Sequence, residues 1–143
     1  MSQQNSLNQQ LLEVALNAAS KASDVARQHR EKLGVEVSFK GDRNLVTTAD
    51  VACEKIIVET IRAAFPDHKI LAEESAQTLS PEEYGKGVVW VIDPIDGTTN
   101  YAHGHFHVGI SIGCAIEGVT HVGVVAAPFL GEVFTATKGG GAF

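Results

Sequence analysis

Residues Trp90 to Gly104 read WVIDPIDGTTNYAHG, and the placement of this stretch decides the fold. Val88 to Ile92, rich in Val and Ile, predicts a strand. The strand is expected to end at Asp93, because Pro94 has no amide proton to give to a sheet ladder. Asp96 follows within one turn, Gly97 permits a tight or left-handed backbone, and Thr98, Thr99 and Asn100 cap helices through a side-chain oxygen. Two carboxylates three positions apart at a strand end can face one point, and so can the carbonyl of Ile95 between them. Such an all-oxygen set suits a hard cation such as Mg²⁺ rather than zinc. The amides of a helix starting near Gly97 would then point at an anion, and a phosphate bridging cation and helix satisfies both. A surface Asp-Gly turn explains Asp96 and Gly97 but leaves Asp93, Thr98 and Asn100 without a reason.

The chain has 143 residues, enough for one domain that buries roughly 68–70% of its unfolded surface. A hydrophobic fraction of 44% with 20% charged residues is ordinary for a globular protein and excludes a disordered one. The formal net charge of −6, with Lys and Arg scattered, argues against a sequence-independent grip on nucleic acid. An acidic chain that handles phosphate must recruit positive charge locally, and bound metal ions would supply it. Cys53 and Cys114 lack any metal-type spacing and read as buried thiols of a reducing compartment. No basic and apolar leader occurs in residues 1 to 10, and the apolar stretches are too short to span a bilayer, so a soluble cytoplasmic protein without a membrane partner is expected.

Leu7, Leu11, Ala15, Ala18, Ala22 and Val25 recur at intervals of three and four. They predict a long amphipathic helix from about Asn5 to Lys32, ended by Gly34, whose Ala-rich stripe should pack closely on a neighbour. Val35, Val37 and Phe39 predict a short strand, and residues 41–44 a turn or loop. Leu45 to Thr48 leads into a second helix with Cys53, Ile56, Ile57, Ile61 and Ala64 on its core face, stopped by Pro66. Asp50 lies in its first turn, where a carboxylate also favours the helix macrodipole by at most about 1 kcal/mol. His68 to Ala72 reads as a strand leading into Glu73-Glu74-Ser75. Adjacent residues of a strand point to opposite faces, so only one of the two carboxylates should enter a shared site.

Ser80-Pro81-Glu82-Glu83 has a capping-box pattern and predicts a short helix. After Gly104, Phe106, Val108, Ile110, Ile112, Cys114 and Ile116 alternate with small or polar residues, predicting a long strand with a bulky and a small face. The small face offers close approach to a helix. Glu117-Gly118 marks a hairpin, Val119 to Ala127 returns, and Pro128 to Gly131 turns into Glu132 to Lys138, giving a three-stranded antiparallel meander. His103, His105 and His107 share a strand face, which invites zinc, but structural roles are the better expectation for them and for His121.

The run DPIDGTTN, followed by Tyr101 and His103-Gly104, resembles the first signature of the inositol monophosphatase family, metal-dependent phosphomonoesterases. The resemblance implies an α+β fold, the N-terminal portion of a layered α/β/α/β/α sandwich with long N-terminal helices on a largely antiparallel sheet. It implies Mg²⁺ as cofactor, a small phosphorylated alcohol or sugar as substrate, and a homodimer. In the segment LVTTAD, Asp50 matches the residue that helps to orient the attacking water. Glu73 falls on a metal ligand with Glu74 beside it, and His103 on a residue supporting the loop, while Phe106 stands where the family often has Pro.

The implied metal ligands are therefore Glu73, Asp93, the carbonyl of Ile95, and Asp96. Asp50 and Thr98 would position or deprotonate a water, with Glu73 assisting, and the amides of Gly97 and Thr98 would hold phosphate. Proton transfer alone contributes about 10²–10⁴-fold, far short of what phosphate monoester hydrolysis demands, so metal chemistry is required. Family members run to nearly twice this length, and their second signature, a Trp-Asp pair before a small-residue run, has no counterpart here. Residues 1–143 thus correspond to one N-terminal half, expected to be a fragment or truncated product with impaired activity. Inositol monophosphate is the leading substrate, with histidinol phosphate or fructose bisphosphate as alternatives within the superfamily. A non-catalytic metal-binding or interaction module is the alternative of another class.

Overall fold

Leu11, Ala15, Ala18, Ala22 and Ala26 line one face of the N-terminal helix, and in a computed structural model of the chain all five are fully buried. The structure describes residues 2–33, 37–40, 44–73 and 79–143. Helix α1 (Gln3–Gln28) is capped by Ser2, whose side chain accepts from the Asn5 amide, and it widens into a π-helical turn at His29–Leu33. The expected stop at Gly34, the strand start at Val35, the first three residues of the turn expected at 41–44, and Glu74 lie outside the described residues, while Asn44 opens a strand. Helix α2 (Thr48–Ala64) packs against α1 closely enough for the Cys53 thiol to donate to the Ala22 carbonyl over 3.4 Å. An alanine stripe permits this approach, since larger side chains would hold the helix axes further apart.

Strands β1 (Val37–Lys40) and β2 (Asn44–Thr47) form a separate antiparallel hairpin. The main sheet has six strands in the order β3 (Lys69–Ala72), β4 (Val88–Asp96), β5 (Gly109–Ile116), β6 (Val119–Ala127), β7 (Glu132–Thr137) and β8 (Gly141–Ala142). Among the described residues only β3 and β4 pair in parallel. Short helices α3 (Pro81–Tyr84) and α4 (Thr98–Ala102) flank β4. The expected meander is therefore the middle of a larger sheet. Among the described residues no helix is long and apolar enough to cross a membrane.

Trp90, Ile92, Ile110, Ile112, Cys114, Val122 and Val124 form one core with Leu11, Ala15, Ile57 and Ile61 of the helices. The helices thus cover the bulky face of β5, not the small one. The reason is area: at about 25 cal/mol per Å², isoleucine side chains reward a covering layer far more than glycine and serine do. On the opposite face Gly113 pairs with Gly123, and Ser111, Val125, Phe134 and Phe143 border an open groove. The strand expected from Phe106 begins only at Gly109, because the preceding backbone bonds elsewhere. The His105 amide donates to the Asn100 carbonyl, and the His107 carbonyl accepts from Asn100 Nδ2.

Trp90 is fully buried, and its indole Nε1 donates to His68 Nδ1 over 3.0 Å. His68 also stacks on Phe65, with ring centroids 4.4 Å apart. Burial lowers the His68 pKa below its ordinary value, opposed by the nearby charge of Asp67. Nδ1 can accept only while unprotonated on that nitrogen. The folded state therefore binds this proton less readily than the unfolded chain, and its stabilising contribution, complete above about pH 6.5, is lost as pH falls through the folded value. Because Trp90 is the single tryptophan, its fluorescence should titrate with a midpoint below 6.5 and stop doing so in His68→Gln. A titration retained in that variant would contradict the assignment.

Candidate metal and phosphate site

Strand β4 does not end at Asp93 as expected but runs on to Asp96. Asp93 lies opposite Ser111 and Asp96 opposite Gly109, so three steps on β4 face two on β5 across a bulge. Pro94 sits inside that irregularity, where a missing amide proton costs no ladder bond. The bulge also has a chemical consequence. Residues three apart on a regular strand face opposite sides, and the inserted step re-aims one of them so that Asp93 and Asp96 can interact.

Gly97 then takes φ +89° and ψ +43°, a left-handed conformation, and α4 begins. A Cβ at Gly97 would also stand 3.1 Å from the His107 carbonyl oxygen. Only glycine meets both demands without strain. With five residues, α4 offers local amide groups at its start rather than a long macrodipole.

Asp50 is fully buried at the start of α2, where it closes a capping box with Thr47. The Thr47 amide donates to Asp50 Oδ2 over 2.8 Å, the Thr47 hydroxyl donates to the same oxygen, and the Asp50 amide donates to Thr47 Oγ1 over 3.1 Å. The other carboxylate oxygen, Oδ1, lies 3.2 Å from Thr98 Oγ1, which is also 3.1 Å from the Ile95 carbonyl oxygen. The hydroxyl has one proton and so donates to one of these at a time. Asp50 therefore holds a helix start with one oxygen and reaches the β4–α4 junction with the other. The pattern Thr47-x-x-Asp50 is the capping signal that the sequence carries for this contact.

Asp93 shows what these carboxylates do to one another. Burial, a hydrogen bond with Glu73, and the negative charges of Glu73, Asp96 and Asp50 push its carboxyl up to about 7. Its Oδ1 is buried with no hydrogen-bond partner among the described residues. The structure thus gathers Asp50, Glu73, Asp93, Asp96, Thr98 and the Ile95 carbonyl into one neighbourhood, while the side chains of His103, His105 and His107 are exposed. Asn100, read from sequence only as a capping residue, instead ties α4 to the following loop.

An orphaned carboxylate oxygen among like charges fits a hard cation, since a positive ion would satisfy the oxygen and remove the repulsion together. Among the described residues no group of three His, Cys, Asp or Glu side chains is arranged to hold a metal ion. Glu73 stands at the edge of 74–78, which lie outside the description.

A family model described as the inositol monophosphatase family matches residues 7–143. The chain belongs to the inositol monophosphatase family. Relatives in that family include a Salmonella typhimurium protein named Nus factor SuhB, 43% identical over 133 residues, or 92% of this chain and 49% of the relative. Inositol monophosphatase 3 of Solanum lycopersicum is 41% identical over 140 residues, covering 98% of this chain and 52% of that one. Among solved structures, the extragenic suppressor protein suhB of Bartonella henselae superposes with a TM-score of 0.83 at 35% identity, over 93% of this chain and 51% of that chain. The Thermotoga maritima IMPase gives 0.82 at 34% identity, over 94% and 50%. The chain spans about half the length of the relatives it matches. The α+β architecture expected from the resemblance is thereby confirmed, with helices on a largely antiparallel sheet.

Proposed function

We propose that this chain carries the metal-holding half of a phosphomonoesterase site that hydrolyses a small phosphate monoester, in the first place inositol monophosphate to inositol and phosphate. The observation that supports this reading most is the convergence of Asp50, Glu73 and Asp96 on Asp93, whose Oδ1 has no partner among the described residues. Glu73, Asp93, Asp96 and the Ile95 carbonyl would hold Mg²⁺. When bound, Mg²⁺ supplies positive charge to phosphate oxygens and acidifies a water.

The remaining work falls to the chain's own groups. When the Thr98 hydroxyl donates to Asp50 Oδ1 rather than to the Ile95 carbonyl, its lone pairs would be free to accept a proton from the attacking water and orient it. Asp50 is the sink for that proton, through Thr98. The amides of Gly97 and Thr98 would bind the phosphate. A homodimer working on a small phosphorylated alcohol or sugar is part of the same proposal.

The test is phosphate release from inositol 1-phosphate by the 143-residue chain, with Mg²⁺ and with EDTA. Slow release that requires Mg²⁺ is expected. No release in Mg²⁺, or release that persists in EDTA, overturns the reading. The name Nus factor SuhB, carried by several of the relatives matched at 43% identity, favours a second reading. In it the chain is a non-catalytic metal-binding or interaction module, which binds Mg²⁺ without turnover.

A further inference from the structure

We propose that Arg30, which is remote in sequence from the site, is a positioning residue for it and acts by clamping both ends of the α4 loop system. The guanidinium packs against two neighbouring aromatic rings, its carbon 4.4 Å from the Tyr101 centroid and 4.0 Å from that of Phe129. From there Nη2 donates to the Tyr101 carbonyl over 2.8 Å and Nη1 donates to the His105 carbonyl over 2.9 Å. The first carbonyl belongs to the last turn of α4 and the second to the loop that follows. A cation at a helix C-terminus is favoured by the exposed carbonyls, and one planar fork that meets two of them fixes their separation.

These contacts continue to the site through the backbone. The Tyr101 amide donates to the Gly97 carbonyl over 2.9 Å, and the Tyr101 hydroxyl anchors α4 to the Ala26 carbonyl on α1 over 2.8 Å. The His105 amide donates to the Asn100 carbonyl, and Asn100 Nδ2 donates to the His107 carbonyl, the atom against which Gly97 packs. Arg30 thus closes a ring of bonds around α4, and α4 carries Thr98 opposite Asp50. Without the clamp, α4 is one short turn after a left-handed glycine, and such a turn has little stability of its own. A lysine would supply the charge but not the planar stack or the fork.

The consequence for turnover rests on the phosphomonoesterase reading above, whereas the consequence for α4 does not. Amide hydrogen exchange and phosphate release should be compared in the wild-type chain, Arg30→Met and Arg30→Lys. Exchange at Tyr101, His103 and His105 is expected to quicken about tenfold in Arg30→Met while Ile112 and Val124 in the sheet are unchanged. Arg30→Lys should recover only part of the protection, and kcat should fall about tenfold in Arg30→Met with KM within about twofold. Unchanged exchange in α4, acceleration shared equally by the sheet, or full recovery with lysine would each overturn the proposal. Should the wild-type chain release no phosphate, the hydrolytic reading fails, and the exchange comparison still decides the role of Arg30.

Discussion

Asp93→Asn is expected to lower Mg²⁺-dependent phosphate release by about 10²–10³-fold, the scale for losing one preorganised electrostatic group, and yet to raise the melting temperature in EDTA. The two effects have one cause. Asp93 is held up to about 7, from an ordinary 3.8, chiefly by burial and then by Glu73, Asp96 and Asp50. A carboxylate with a raised folded pKa binds protons more readily in the folded state, so stability falls as pH rises from about 4 to about 7. At neutral pH the wild-type apo chain bears most of that cost. One pKa unit corresponds to about 1.4 kcal/mol, but the site is partly solvated and screened, which leaves a gain on the order of 1 kcal/mol for asparagine. In a chain of this size that is a rise of roughly 2–4 °C. Thermal melts in EDTA at pH 7.5 and pH 5 check the sign, because the gap between variant and wild type should shrink at the lower pH. Undiminished turnover would remove Asp93 from the chemistry, and a lowered melting temperature in EDTA would refute the repulsion.

Trp90→Ala is expected to destabilise the chain by about 3–5 kcal/mol, the usual cost of truncating a buried aromatic residue. Trp90 is completely buried on β4, pairs in register with Ile70 of β3 and Cys114 of β5, and stacks loosely on Phe65 beyond the end of α2. Its loss opens a cavity where three elements meet and strands His68 without its indole donor. Folded proteins have about 5–15 kcal/mol of total stability, so the variant should fold but unfold at markedly lower urea. Trp90→Phe retains most of the apolar volume and should cost far less. Near-equal midpoints for the alanine and phenylalanine variants would show that packing at Trp90 is not what holds β3, β4 and α2 together.

Much of this architecture was legible because its causes are local. The alanine stripe of α1, the Pro66 stop, the capping box at Ser80, the alternation through β5 and the hairpin at Glu117-Gly118 each need only neighbours in sequence to be read. The readings that failed were those that depend on a partner elsewhere. Strand β4 was expected to stop at Asp93, yet pairing with β5 carries it to Asp96 through a bulge. Strand β5 was expected from Phe106, but Asn100 takes the His107 carbonyl away from the ladder.

The sequence by itself determined which residue types could meet a cation and a phosphate, and on which local elements they sit. Tertiary structure alone decided that Asp50 reaches Thr98, that burial and then Glu73 and Asp96 raise Asp93, that the helices take the bulky face of the sheet, and that Arg30 clamps α4 from 71 residues away. The physical reason is range. Propensity, capping and turn geometry act within a few residues, whereas charge repulsion, burial and the bonding of buried carbonyls depend on distances that exist only after the chain has folded.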